Sequence, residues 1–570
     1  LIEASLLTHG WLKRTSADYG KEYAIDEEML KAFLNATQKD VVARSKIFSD
    51  ELEHKRFLTR LQNEITTRGV IDVLRHGLAH KSYNFMLYYP TPTMGNEKAK
   101  TQFAQNRWTV ARQVHYSFAN DNSIDMVLML NGLPIITMEL KNNFTGQNFG
   151  NAISQYQNDR SPQELLFRPK RCAVHFAVDD NEVYMCTALS GANSWFLPFN
   201  KGYNDGAGNP PCESGPRTSY LWEEILQIDR LSNIIENYAQ VIRKKNEDTG
   251  KIEEKVIWPR CHQLEAVRAL LAATAGNPAC GQRYLIQHSA GSGKSNSITW
   301  LAYQLAGMKE ADGITPRFAS VLVITDRRNL DTQIRDNIRA FCNNKSIVQW
   351  AEDSEALKTA LQGGKTIIVS TVCKFPFILQ TIGHELKNKK FCVIIDEAHS
   401  SQAGGMASAL NSVIGGFGMK GKKPEDTEDE LNELLAYVIA GRTMAANSNF
   451  YAFTATPKNK TLELFGIPYL GEDGEEKHRP FHYYSMKQAI EEKFILDVLE
   501  HYTPYGSFYR ILKASEANPE FEKAPAERKL RAWVESRPET VEAKSKVIVE
   551  HFLNNVAHRI KGQARAMVVT

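Results

Sequence analysis

Nowhere does the sequence hold the roughly 18 uninterrupted apolar residues that a membrane-spanning helix needs. No basic start leads into a short apolar core and a small-residue cleavage site, so a secretory signal is not expected. Cysteine is scattered: eight residues, at 172, 186, 212, 261, 280, 342, 373 and 392, with no Cys-x-x-Cys and no paired Cys/His spacing. That pattern argues against a zinc finger and leaves buried, reduced thiols in a cytoplasmic protein as the expectation. An excess of either charge is missing too. A formal +3 over 570 residues neither demands nor excludes nucleic acid, which would have to be met by local stripes. Leu1 stands where an initiator methionine would, and the chain is expected to begin inside a larger protein.

What is present is globular: 42% hydrophobic and 24% charged residues, in a chain too long for one core. At about 150 residues per domain, three or four domains are expected. The most informative stretch runs from Tyr284 to Ile298, where an apolar run meets Ser289-Ala290-Gly291-Ser292-Gly293-Lys294-Ser295 and then a helix-forming segment. Strand, glycine-rich loop and helix in that order aim backbone N–H groups and a helix N-terminus at a polyphosphate. Lys294 can reach the β- and γ-phosphates, and the Ser295 hydroxyl can ligate Mg²⁺. His288 occupies the place of the loop's usual first glycine. Further on, the apolar run Phe391–Ile395 leads into Asp396-Glu397-Ala398-His399. Acids at a buried strand's end suit Mg²⁺ for Asp396 and a water-positioning role for Glu397. Phe453-Thr454-Ala455-Thr456-Pro457 follows. These three motifs, in this order, resemble those of superfamily two helicases and DNA translocases. The resemblance implies ATP as substrate, an adenine-reading role for Gln263, with Trp258 or Arg260 as stacking candidates, and coupling of nucleotide to DNA through Thr454 and Thr456. Asp326–Gln333 matches motif Ia, with Arg327, and Ser370-Thr371 with Lys374 stands at motif Ib.

Toward the N-terminus, two apolar runs flank Asn131-Gly132, a hairpin signal, yet Asp125, Glu139 and Lys141 interrupt them. Glu139 and Lys141 lie two apart, so in a strand both point to one face. Two carboxylates and a lysine on one sheet face form a Mg²⁺ site, the lysine orienting the hydrolytic water. A two-residue turn with regular pairing would set Asp125 opposite Met138, on the wrong face. A three-residue loop, 131–133, pairs Asp125 with Glu139, so that register or an equivalent bulge is expected, with Pro134 starting its strand. The pattern resembles the PD-(D/E)xK nucleases. Helix 151–160 would offer Gln155 and Tyr156 to backbone phosphates, helical segments are expected at 26–34, 46–64, 225–244 and 542–556 and a charged linker at 244–255, and Glu53 and Glu64 receive no role.

A nuclease of this type ahead of a superfamily two motor resembles the R (restriction, motor) subunit of type I restriction enzymes. Tyr19-x-x-Glu22-Tyr23-Ala24-Ile25-Asp26, Asn131-Gly132-Leu133-Pro134 and Gln155-Tyr156 have counterparts there. The expected architecture is α/β: a nuclease domain with a mixed sheet at 1–245, a RecA-like parallel-sheet domain at 246–470 carrying an insertion at 401–449, and a linker with an incomplete second RecA-like domain at 471–570. The resemblance implies ATP and Mg²⁺ as cofactors. Its implied partners are double-stranded DNA and the methyltransferase and specificity subunits. It also places the charge-stabilising arginines of the second motor domain beyond Thr570, so these 570 residues alone are expected to turn ATP over very slowly. A type III restriction motor fits less well because its nuclease follows the motor, an RNA helicase because of the nuclease, and a scaffold with a decayed nuclease because the acids and lysines are intact.

Overall fold

In a computed structural model, residues 1–93, 95–245, 250, 252–325, 338, 347–351, 354–371, 388–397, 447–497, 538–558 and 564–567 are described. Arg327, Lys374, Ala398, His399 and the 401–446 part of the expected insertion lie outside them. Residues 1–496 form one compact unit and 497–570 another.

The first unit holds two large sheets. Strands β1 Leu12–Arg14, β2 Trp108–His115, β3 Ser123–Leu130, β4 Leu133–Leu140, β5 Val174–Val178, β6 Val183–Cys186 and β7 Leu197–Pro198 pair in that order. The sheet is mixed, with parallel pairs at β1/β2 and β4/β5. Helices α1 Ile2–Thr8, α2 Glu27–Thr37 and α3 Glu51–Arg68 lie in its N-terminal part, and α4 Phe149–Asn158 packs on β4 and β5. The sequence leads to these elements through their caps: the Asp26 carboxylate accepts from Met29 N at 3.1 Å, and the Asp50 carboxylate from Glu53 N at 3.0 Å. The helix expected over 46–64 starts later, because Lys46 is left-handed (φ 58°) and ends a preceding short helix, Lys39–Ser45.

The β3–β4 hairpin has a two-residue turn. Asn131 (φ 52°) and Gly132 (φ 82°) are both left-handed, and Leu130 pairs with Leu133. The loop of 131–133 is therefore not what forms, and β4 begins one residue before Pro134. The required parity is recovered by a bulge. Met129 pairs with Pro134 and Leu128 with Ile136, leaving Ile135 as the extra residue, after which Met126 pairs with Met138. The turn is buried: a Cβ on Gly132 would sit 2.2 Å from Asp26 O, and Asn131 Nδ2 donates to Leu87 O at 2.9 Å.

Helix 225–244 is shorter than expected. It spans Ile228–Asn237, and Gln240–Lys245 pairs antiparallel with Ile252–Ile257, where a charged linker was expected. Basic residues of one strand lie opposite acidic residues of the other, and Arg243 meets Glu254 across the ribbon at 2.8 Å.

Helix α5 Cys261–Gly276 then precedes β8 Arg283–His288 and α6 Lys294–Gly307. The second sheet adds β9 Ser320–Thr325, β10 Val348–Trp350, β11 Ile367–Thr371, β12 Phe391–Asp396, β13 Ser448–Thr454 and β14 His482–Tyr484, in the order β10-β11-β9-β12-β13-β8-β14. Every pairing is parallel, which explains why these strands read as continuous apolar runs. Its edge strand β14 falls beyond residue 470, where the sheet was expected to be complete. A six-residue helix, α7 Met486–Glu491, follows. In the second unit, helix Pro538–His551 continues into a wider turn at Phe552–Val556, as expected there, and Ala564–Met567 carries no strand. Among the described residues no helix is long and apolar enough to cross a membrane.

Candidate active sites

The bulge brings the acids of the first sheet together. Lys141 Nζ lies 3.9 Å from Asp125 Oδ2 and 4.0 Å from Glu139 Oε2. Asp125 Oδ2 accepts from Leu140 N at 2.8 Å, and Oδ1 from Gln113 Nε2 at 2.9 Å. Gln113 is itself left-handed (φ 48°) in β2, a second irregularity aimed at the same carboxylate. Glu139 is buried. Its Oε1 accepts from Arg160 Nε at 2.6 Å, whereas Oε2 has no hydrogen-bond partner. Burial first and the Asp125 charge second push this carboxyl up to about 8, against the pull of Arg160. An orphaned oxygen on a carboxyl raised by a second carboxylate is the arrangement a cation relieves, and all-oxygen donors suit Mg²⁺. Among the described residues no three His, Cys, Asp or Glu side chains cluster for a metal. A cation held by this pair would leave further ligand positions to water and phosphate, as Mg²⁺ sites commonly do.

Tyr156 does not reach phosphate. It is fully buried, its hydroxyl 2.9 Å from Thr137 Oγ1, which is 2.7 Å from His175 Nδ1. Burial holds His175 low, at about 3, so this network is neutral packing. The apolar face of α4 put Tyr156 inward, beside Ala152. Gln155 is half-buried. Glu53 pairs with Arg56 at 2.8 Å and Lys81 at 2.5 Å, and Glu64 with Arg60 and Arg68 at 2.8 and 3.1 Å, so both hold surface ion pairs. The sequence reading missed Arg160. A glutamate in an otherwise apolar strand demands a buried cation, and the Asp-Arg pair ending α4 could have been its source.

In the second sheet, Asp396 pairs with Phe453 and Gln287 with Thr454, so the ends of β8, β12 and β13 meet along one edge. Ligands bind at that carboxyl edge in open parallel sheets. The loop Ser289–Gly293 rises from it, with Ala290 and Gly291 exposed and Ser292 buried. Gly293 (φ 79°) is left-handed, which favours glycine, and a Cβ there would stand 2.3 Å from Gln263 Nε2 and displace that amide. Lys294 Nζ lies 3.4 Å from Glu397 Oε1 and 3.5 Å from His288 O. Ser295 is half-buried in the first turn of α6. Asp396 is buried at its strand end, its Oδ1 accepting from Glu397 N at 3.0 Å, and Glu397 is left-handed (φ 50°). Thr371 ends β11 opposite Thr325. Thr454 is buried, its Oγ1 accepting from the exposed Thr456's N–H at 3.3 Å.

Gln263 has a different place from the one expected. It is buried and donates through Nε2 to Ser292 O (2.9 Å) and Gly293 O (3.1 Å), while Oε1 accepts from Arg260 N at 2.9 Å. Its amide grips the phosphate loop, and reading a base would require exchanging those bonds. Trp258 is buried in the core. Arg260 lies 3.4 Å over the Phe494 ring and bonds Glu492 Oε2 (2.9 Å), Tyr484 Oη (2.8 Å) and Gly291 O (3.4 Å). From its other side α7 reaches the first sheet's loop. Ser485 Oγ donates to Asp205 O, Lys487 Nζ to Asn204 O at 3.4 Å, and Ala207 N donates to Glu491 Oε2 at 2.6 Å. His288 fills its non-glycine position by burial, 2.9 Å from His482 Nδ1 of β14.

A mixed sheet with a carboxylate–lysine site, joined to a parallel sheet with a phosphate loop and an acidic strand end, defines an α/β chain of nuclease-type and RecA-like parts. Residues 8–194 match the family described as "Type I restriction enzyme R protein N terminus", and residues 262–527 the "SWI2/SNF2 ATPase" family. The chain is 23% identical over 524 residues to the type I restriction enzyme SsaAORF53P endonuclease subunit of Staphylococcus saprophyticus, across 84% of this chain and 47% of that protein. It is 25% identical over 361 residues to the HindI endonuclease subunit of Haemophilus influenzae, across 60% of this chain and 30% of that one. The chain spans less than half the length of these curated relatives. Among solved structures the UvsW helicase of bacteriophage T4 aligns at 12% identity and a TM-score of 0.23, over 37% of this chain and 59% of that one. The chain is thus related to the R subunits of type I restriction enzymes and carries their N-terminal module ahead of a SWI2/SNF2-type ATPase module.

Proposed function

We propose that this chain is the nuclease and motor portion of a type I restriction R subunit, coupling ATP-driven translocation on double-stranded DNA to Mg²⁺-dependent endonucleolytic cleavage in the cytoplasm. In this reading 1–245 is the nuclease, 246–470 the first motor domain and 471–570 the passage to a second. It works with methyltransferase and specificity subunits. The observation that carries the reading is the convergence of Asp125, Glu139 and Lys141 in a chain that also sets Lys294 against Glu397.

Asp125 and Glu139 would hold the nuclease Mg²⁺, which when bound polarises the phosphodiester and acidifies a water. Lys141, within reach of both acids, orients the attacking water and offsets charge developing on the phosphate. At the nucleotide site Lys294 neutralises the β- and γ-phosphates, Ser295 and Asp396 would hold Mg²⁺, and Glu397 positions the attacking water. Arg327, Thr371, Thr454 and Thr456 carry the coupling to DNA.

The test separates the two engines in the assembled enzyme. Asp125→Ala, Glu139→Ala or Lys141→Ala is expected to abolish cleavage and leave DNA-dependent ATP hydrolysis. Lys294→Ala is expected to remove hydrolysis and the cleavage that depends on it. Cleavage surviving in the first three would overturn the nuclease assignment.

A further inference from the structure

Arg160 uses all three of its nitrogens, reaching β4, β3 and the residue just past β2. Nε donates to Glu139 Oε1 of β4 at 2.6 Å, Nη2 to Ser123 O at the start of β3 at 2.9 Å, and Nη1 lies 3.5 Å from Tyr116 Oη beyond β2. The residue is buried, 6% exposed. Ser123 is two residues before Asp125 on the same strand, so one rigid planar group ties together the two strands that carry the carboxylates. A simple counter-charge would need only the contact with Glu139. The second bond, to a backbone carbonyl, fixes the guanidinium's orientation and through it the rotation of the Glu139 carboxyl. With Oε1 held, the oxygen left over is Oε2, the one 4.0 Å from Lys141 and without a hydrogen-bond partner.

We infer that Arg160 is a positioning residue of the nuclease: its fork occupies one oxygen of Glu139 and locks the strand ends so that the other oxygen is left free for the cation that Glu139 and Asp125 would hold. This rests on the nuclease reading above. The side chain acts through Glu139 and does not touch the scissile bond. Removing such an outer partner commonly costs about 10- to 100-fold in metal affinity or activity.

The experiment measures Mn²⁺ binding to the full-length subunit by electron paramagnetic resonance, alongside DNA cleavage by the assembled enzyme over a range of Mn²⁺. The variants are Arg160→Lys, Arg160→Gln, Asp125→Asn and Glu139→Gln. Arg160→Lys keeps the charge and loses the planar fork. Both Arg160 variants are expected to weaken Mn²⁺ binding about tenfold or more. Excess Mn²⁺ should restore most of the cleavage rate, which it could not do for a misfolded domain, and ATP binding should be unchanged. If Arg160→Lys matches the wild type and Arg160→Gln binds Mn²⁺ as well or better, the residue is a counter-charge only and the inference is overturned. If Asp125→Asn and Glu139→Gln also bind Mn²⁺ like the wild type, the metal site itself is misassigned and the nuclease reading fails with it.

Discussion

Glu139 makes the stability of the nuclease part depend on pH in a direction opposite to that of most carboxylates. Its carboxyl is raised from 4.5 to about 8, so the fold prefers the protonated form. A group raised on folding contributes fully below its unfolded value and loses that contribution as pH climbs through its folded value. Between pH 4.5 and pH 8 the metal-free protein should therefore lose stability at this site. At about 1.4 kcal/mol per pH unit the loss is on the order of 3 to 5 kcal/mol. Glu139→Gln removes the ionisation and keeps the shape, so the wild type should be less stable than the variant near pH 8.5 and should converge with it near pH 5. Mg²⁺ is expected to offset part of this loss: at about 100 times its dissociation constant it would add about 2.7 kcal/mol to the wild type, and more of it at high pH, where no proton has to be displaced. Urea unfolding followed by circular dichroism, at steps from pH 5 to 9 in EDTA and in Mg²⁺, reads both effects. Wild type and Glu139→Gln following the same curve in EDTA would refute the reasoning, since the buried carboxyl would then cost nothing to ionise.

Two further outcomes concern the phosphate loop. Gly293→Ala sets a methyl 2.3 Å from Gln263 Nε2 at a left-handed position, and fluorescent ATP-analogue binding should fall at least tenfold, about 1.4 kcal/mol, while Mn²⁺ binding at the nuclease is unchanged. Gln263→Ala removes two bonds to loop carbonyls, each about 1 kcal/mol, so affinities for ATP and GTP should weaken together; a loss confined to ATP would show that this amide reads the base after all.

The strand–loop–helix at 283–307 was legible because it is local: its elements are consecutive, and Gly293, Lys294 and Ser295 are neighbours in sequence. The nuclease pair was legible as a parity requirement, that Asp125 and Glu139 share a face. The means of meeting it was not, because a two-residue turn with an extra residue at Ile135 and a three-residue loop give the same pairing from the same letters. Tyr156 and Gln263 take protein partners for one reason. Both can bond ligand or protein equally well, and only packing decides: Tyr156 goes to Thr137, Gln263 to the loop carbonyls. Arg160 and Glu492 carry no local signature, being defined by partners at sequence separations of 21 and 232 residues. Part of the 240–257 ribbon, at 244–255, was taken for a linker because the cross-strand pairing of basic against acidic residues leaves no hydrophobic pattern.

The six residues of α7 span about 9 Å at 1.5 Å per residue. At one end and along one side they hold Asn204, Asp205 and Ala207; just past the other end, Glu492 and Phe494 hold Arg260 against Gly291. A spacer this short has no slack. Amide hydrogens on the 201–209 loop, on α7 and on the 289–293 loop are therefore expected to open together, so deuterium uptake at Ala207 should report how tightly the 289–293 loop is closed.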